Sequence, residues 1–313
     1  MNVTISEVKE FWNANPCGSK LSDSKNRINY FNEIETKRFK TEWHIPLVAK
    51  FDQYKNKDVL EIGCGIGTDG LQFAKSGANY TGIDLSPQAV KTTKERFSLF
   101  GVKGKIEVAN AEDLPFEEGS FDHVYSFGVI HHSPYTERIV EEIYRVLRPG
   151  GTICIMVYNK SSINYYIEIM FLRKIFRWLL IPKLAPRLIS LMTGLDESKL
   201  SGHREMILKR KKMTKSEWIS INTDGPDCPL AKVYGKKAVQ SLFKHFENVH
   251  TEVWFFDKSH WPWFGKLIPS PLEYFLGRRW GWHRLVFGRK PNSPLPFGER
   301  ARVRGIQACF LHF

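Results

Sequence analysis

The chain has 313 residues, 42% of them hydrophobic and 25% charged, ordinary globular values that exclude wholesale disorder. Its formal net charge of +13 is unevenly placed: residues 1–159 hold 19 basic and 21 acidic side chains, 160–212 hold 12 and 4, 213–277 hold 7 and 7, and 278–313 hold 8 and 1. No zinc-finger, RNP or KH signature accompanies that basicity, so no specific nucleic-acid partner is expected, and no apolar run is long enough for a transmembrane helix.

In chain order, the polar opening MNVTISEVKEFWNANP lacks the apolar run of a signal peptide, so a cytoplasmic location is expected. Phe11, Trp12, Phe31, Phe39 and Trp43 fall in helical stretches before the first strand, with Cys17 in a loop between them. From Lys57 to Tyr158 strand and helix patterns alternate. Strands are predicted over Asp58–Ile62, Tyr80–Asp84, Lys105–Ala109, His123–Phe127 and Thr152–Tyr158. Ser86-Pro87 is a helix start, with Ser as cap and Pro at the first helical position. Glu137–Leu147 reads as an amphipathic helix ended by Arg148-Pro149-Gly150-Gly151. Such alternation implies a mostly parallel sheet covered on both faces.

After Tyr158 the pattern changes. Ile163–Met192 is rich in large apolar residues and interrupted by cations and by Pro182 and Pro186. The predicted form is a pair of helices over the sheet end; the composition also suits peripheral membrane contact through 163–192. A helix over Lys236–Phe246 and strands over Asn248–Phe256 and Trp280–Gly288 then complete the sheet. Residues 160–235 therefore read as an insertion within one domain. From Pro291 onward three prolines in six residues prevent strand or helix, and 291–313 is expected as a disordered tail. The five cysteines (Cys17, Cys64, Cys154, Cys228, Cys309) contain no CxxC pair, so neither a disulfide framework nor a metal site is expected.

Gly63-Cys64-Gly65-Ile66-Gly67-Thr68-Asp69-Gly70 directly follows a strand and opens a helix. Glycines there let a ligand approach the backbone closely. Gly65, Gly67 and Gly70 satisfy GxGxxG, and Asp84 ends the next strand, where a carboxylate would bind ribose hydroxyls. The loop alone leaves open which nucleoside cofactor it serves.

The wider core carries a resemblance. Val59 to Gly67, with Glu61 two places before Gly63, resembles the first motif of class I S-adenosylmethionine (SAM)-dependent methyltransferases. Thr81 to Ser86 looks like that family's second-strand motif. Asn110 to Phe116 is similar to its adenine-binding loop, Phe121 to His132 to its fourth strand and following loop, and Arg145 to Gly151 to the turn before its fifth strand. The five motifs occur in the family's order over about a third of the chain. Asn110 departs from the Asp of many members, as it does in related quinone-pathway enzymes.

The resemblance implies a doubly wound, Rossmann-like sheet of seven mostly parallel strands, the last antiparallel. It further implies a helical lid over residues 1–50, a methyltransferase domain over 51–290, and 160–235 covering the acceptor. SAM would be the cofactor and S-adenosylhomocysteine the product. Gly63, Cys64, Gly65 and Gly67 would pack against the methionine and ribose, Glu61 would hold the ammonium, and Asp84 with Leu85 the ribose. Asn110, Ala111 and Glu112 would read the adenine, and Ser126 and Phe127 would form the floor beneath the sulfonium. His131, His132 and Tyr158, at the carboxyl edge of the sheet, are the candidate catalytic residues. The expected partner is a small-molecule acceptor, either apolar and quinone- or lipid-like or a small thiol. Two rivals stand beside this: an NAD(P)-dependent oxidoreductase using the same loop, and a non-catalytic basic surface-binding protein.

Overall fold

The computed structural model describes residues 3–193, 196–210, 212–258, 261 and 265–293. The expected tail falls, from residue 294 onward, outside these. The strands are β1 (Asp58–Ile62), β2 (Asn79–Asp84), β3 (Lys105–Val108), β4 (Phe121–Phe127), β5 (Leu147–Asn159), β6 (Val233–Tyr234), β7 (Glu247–Trp254) and β8 (His283–Arg289). They form one sheet in the order β3-β2-β1-β4-β5-β8-β7, with the two-residue β6 beside the end of β5. Pairing is parallel except where β8 meets β5 and β7. Seven main strands with the last one reversed is the expected Rossmann-like arrangement.

Both faces are covered, and the pleat divides the core accordingly. Leu60, Ile62, Val124, Ile153, Ile155 and Val157 point to one side. There they meet Ile139, Val140, Ile143 and Val146 of α6 (Thr136–Val146) and Val239 of α11 (Lys236–Leu242). Val59, Tyr125, Cys154 and Met156 point to the other side. Their partners are Ile45 and Val48 of α3 (Ile45–Ala49), Leu71 and Phe73 of α4 (Thr68–Lys75), and Val90 and Phe97 of α5 (Pro87–Leu99). Alternate residues thus serve opposite faces, which is why these strands read as nearly unbroken apolar runs.

Before the sheet stand α1 (Ile5–Ala14) and α2 (Arg27–Thr41). Trp43 lies in the turn after α2 rather than in a helix. After β5 comes a π-helical stretch, Asn164–Leu172, which runs into α7 (Arg173–Leu179), then α8 (Ala185–Thr193), α9 (Glu197–Lys209) and α10 (Lys215–Thr223). Pro186 does not cut this region. It occupies the first turn of α8, where its missing N–H has no intrahelical partner to lose. α12 (Ser270–Trp280) precedes β8, so Trp280 closes a helix and does not open the strand.

Arg148-Pro149-Gly150-Gly151 follows the α6 helix as expected, but inside β5 as an irregularity against β4, where Phe121 pairs with Leu147 and His123 with Thr152. The end of β8 pins it: the Gly150 N–H donates to the Lys290 carbonyl, and Arg289 Nε donates to the Gly150 carbonyl. Gly150 has φ +77°, a left-handed conformation that suits glycine.

Candidate functional site

A cavity of about 370 Å³ lies where the main parallel strands end, lined by Ile62 of β1, Asp84 of β2, Phe127 of β4 and Tyr158 of β5. The carboxyl edge of a doubly wound sheet, where the strand order reverses between β1 and β4, is where such folds bind ligands. The glycine loop is one wall. Gly63 has φ +79°, and a Cβ there would overlap the Val129 side chain. At Gly65, φ +54°, a Cβ would meet no atom within 4 Å because that side faces the cavity. Gly67 does not line the cavity; at φ +74° it packs on Thr93. Gly70 lies under the Tyr80 hydroxyl and the Glu61 carboxylate, and a methyl group there would displace both.

The cavity is acidic although the chain is basic. Its described lining includes Glu42, Glu61, Asp69, Asp84 and Asp224 against the single guanidinium of Arg38. Arg38 neutralises part of this set, binding both oxygens of Asp69 at 3.1 and 2.9 Å and Glu42 at 3.1 Å. Glu61 instead accepts the Tyr80 hydroxyl. Burial first, and the like charge of Asp69 second, push its carboxyl up to about 8. Asp84 accepts the N–H groups of Gly65 and Ser86, each at 2.9 Å, one on each oxygen. Burial raises its pKa while those two N–H groups and that of Leu85 lower it. Each oxygen keeps a further lone pair for a ligand hydroxyl.

Beyond β3, Asn110 and Ala111 line the cavity. The Asn110 Oδ1 accepts the Glu112 N–H at 3.0 Å, which leaves the amide NH₂ as the free end. Glu112 is itself buried and accepts the Ser133 hydroxyl, outside the lining. Ser126 is fully buried and donates to the Ile62 carbonyl at 3.0 Å.

The opposite end is aromatic with one polar corner. Tyr158 stacks on Trp282 at 4.5 Å, and Phe255 stacks on His283 at 4.5 Å. Phe255 holds φ +72°, strained for a side chain of that size. At the corner, His132 Nδ1 lies 2.7 Å from the Leu230 carbonyl. A carbonyl only accepts, so Nδ1 carries a proton, and in the neutral ring Nε2 is the nitrogen with the lone pair. That Nε2 is buried, lacks a hydrogen-bond partner, and lies 3.8 Å from the equally unpartnered Asp224 Oδ2. Tyr158 donates to the other Asp224 oxygen at 2.7 Å. Trp12 of α1 meets the His132 ring edge-on at 4.9 Å. His131 is separate: fully buried and absent from the cavity lining, it lies between His132 and Tyr158 with neither ring nitrogen bonded. Burial holds its pKa well below the usual value.

His132, Asp224 and Cys228 also bring a nitrogen, an oxygen and a sulfur within 4.8 Å of one another, a donor set that could hold a metal ion and that the sequence did not suggest. The Cys228 thiol donates to the Leu230 carbonyl at 3.6 Å, and burial pushes its pKa up to about 12, so it must lose a proton before it can ligate.

Residues 60–155 match the family described as a methyltransferase domain. A sterol 4-C-methyltransferase of Caenorhabditis elegans is 34% identical over 125 residues, 39% of this chain and 37% of that protein. A chloroplastic tocopherol O-methyltransferase of Arabidopsis thaliana is 38% identical over 116 residues, 36% of this chain and 33% of that protein. Over residues 60–155 the chain carries a methyltransferase domain. The match spans about a third of each of these curated relatives. Over 90% of this chain and 99% of the other, the fold resembles a crystal structure of a Pyrococcus horikoshii protein, with TM-score 0.52 and 19% identity.

Around this methyltransferase domain the fold gathers most of the residues expected for the cofactor. Glu61, Gly63, Cys64, Gly65, Asp84, Leu85, Asn110, Ala111 and Phe127 line one cavity, whereas Gly67, Glu112 and Ser126 support it from outside. Ile5, Val8 and Trp12 of α1, the Cys17 loop, and Ile34 and Arg38 of α2 form its outer wall. Of residues 160–235, only Asp224 is in the described lining; Tyr165 is buried elsewhere and Tyr166 is exposed. The sequence reading missed Asp224, Trp282 and His283. Nothing in the local pattern marks them, because they come from segments far from the glycine loop.

Proposed function

We propose that the protein transfers a methyl group from SAM to the hydroxyl oxygen of a small, flat, apolar acceptor. The observation that carries this is the sign of the cavity. A glycine loop lined by carboxylates suits a nucleoside bearing a sulfonium and an ammonium, and disfavours the diphosphate of a dinucleotide. That contrast sets the methyltransferase reading above the NAD(P)-dependent oxidoreductase, and the presence of the cavity sets it above a purely surface-binding protein.

The residues fit the cofactor. Asp84 has spare lone pairs for the ribose hydroxyls, Glu61 accepts the Tyr80 hydroxyl but has no ion-pair partner among the described residues and so can take the ammonium, and Gly65 leaves open space against its backbone. When bound, SAM supplies an already activated methyl group on a sulfonium. The protein's own work is then alignment, exclusion of water and removal of one proton. His132 Nε2 takes the acceptor's hydroxyl proton, and Asp224, held by Tyr158, stabilises the imidazolium that results. The aromatic wall of Tyr158, Trp282 and Phe255 seats the acceptor ring. The curated relatives named above methylate a sterol and a tocopherol, which supports an apolar acceptor here. α1 and α2, in the segment 1–50, serve as the lid of this site, which belongs to a domain spanning 51–290.

The test is a screen of hydroquinones, phenolic lipids and thiols with methyl-labelled SAM. Transfer to a phenolic oxygen is expected, and it should survive treatment with a chelator. Transfer only to thiols, or loss of activity on chelation, would overturn the acceptor or the base assignment respectively.

A further inference from the structure

Residues 171–192 contain five cations, Arg173, Lys174, Arg177, Lys183 and Arg187, and no carboxylate. They include α7 and most of α8, whose large side chains would be buried if these helices covered the sheet. Instead Ile175, Trp178 and Leu179 of α7 are exposed, and so are Leu184, just before α8, and Leu188, Leu191 and Met192 within it. Trp178 is 77% exposed, Leu191 76% and Met192 83%. Both sets fall at helical spacing: 175, 178 and 179 on one helix, 184, 188, 191 and 192 on the other. Lys174, Lys183 and Arg187 are exposed among them, with no ion-pair partner among the described residues. Soluble monomers rarely leave so many large apolar side chains bare on two successive helices.

What covers this face is decided by charge. Pairing with a second copy would bring together two segments that each carry 12 basic and 4 acidic groups over residues 160–212, and the repulsion opposes it. An anionic bilayer surface complements both features, taking apolar side chains at the acyl boundary and cations at the phosphates. Crossing the bilayer is not the mode: α7 has seven residues and α8 nine, and no described helix is long and apolar enough to span.

We propose that α7 and α8 form an interfacial docking surface for anionic membranes. Trp178, Leu184, Leu188, Leu191 and Met192 enter the headgroup and acyl boundary, while Lys174, Lys183 and Arg187 contact lipid phosphates. The surface does not depend on the methyl-transfer reading, because vesicle binding is read without turnover.

The experiment is flotation of the full chain with vesicles of phosphatidylcholine alone and of phosphatidylcholine with one-third phosphatidylglycerol. Binding to the anionic vesicles is expected to be at least tenfold tighter and to weaken in high salt. The variant Lys174→Ser/Lys183→Ser/Arg187→Ser should lose roughly 100-fold, the strength usual for three interfacial cations. The variant Trp178→Glu/Leu184→Glu/Leu191→Glu should lose vesicle binding even at low salt. Its far-UV spectrum and SAM affinity should match the parent, since these side chains touch neither core nor cavity. Equal binding to both vesicle types, or vesicle binding that neither variant changes, would overturn the proposal. So would a concentration-dependent dimer by light scattering that dissociates in the Glu variant without any vesicle binding in the parent.

Discussion

Glu61, next to last in β1, lies under the Tyr80 hydroxyl, with its carboxyl raised to about 8 by burial and then by Asp69. In the unliganded protein at pH 7 it is mostly protonated, and a cation placed beside it favours the carboxylate. Ligand binding must therefore release a proton below pH 8. SAM affinity is expected to rise by up to about tenfold per pH unit between pH 6 and 8, then level off. Calorimetry in buffers of different ionisation enthalpy measures that proton, and Glu61→Gln should abolish the slope. A flat profile in the parent would mean that no cation meets this carboxyl. At the other end, His132→Gln should lower kcat by roughly 10²–10⁴, the usual span for a general base, and leave SAM affinity within about twofold. Asp224→Asn should cost less and shift the kcat–pH profile, because its role is to favour the imidazolium. Equal activity of both variants and the parent would remove the base from the account. Glu61 and Asp84 were legible as residue types at strand ends, and His132 just past β4. Asp224 was not: its partner His132 lies in another segment, and only the fold brings the two within 3.8 Å.

Among the elements, α2 decides whether the cavity is enclosed. Arg38 reaches Asp69 on α4, Arg96 on α5 reaches Glu35 at 2.8 Å, and Arg27 binds Glu95 at 2.6 Å. These pairs differ in exposure, so they differ in worth. Arg38 lies in the cavity wall against an Asp69 that is 4% exposed, so Arg38→Met leaves a buried carboxylate without its cation. It should destabilise the protein by about 3 kcal/mol in urea unfolding and weaken SAM binding. Arg27→Ala removes a surface pair and should cost less than about 1 kcal/mol. Similar losses for the two would mean that α2 is not held through Arg38. The strands were legible because apolar runs stood between turn residues. Errors came where tertiary pairing overrode local signals: Arg148 to Gly151 became part of a β5 irregularity, and the helix predicted over Lys236–Phe246 stops at Leu242. Residues 163–192 read as helices covering the sheet, since composition cannot tell a buried apolar face from one turned outward.

At the scale of the whole molecule the charges are segregated. A net +13 lies on the chain, concentrated in 160–212 and 278–313, while the cavity lining holds one guanidinium and five carboxyl groups, of which Glu61 ionises only when a cation meets it. A cationic nucleoside is drawn to such a cavity, and an anionic dinucleotide is repelled by it. Titration of the purified chain with SAM, S-adenosylhomocysteine and NAD, followed by calorimetry, tests this most directly. One SAM per chain should bind, S-adenosylhomocysteine should compete, and NAD should give no heat. In Asp84→Ala, SAM binding should weaken by roughly 3–6 kcal/mol, the worth of two hydrogen bonds to a charged acceptor. Saturable binding of NAD without SAM binding, or SAM binding that Asp84→Ala leaves unchanged, would contradict the placement of the cofactor in this cavity.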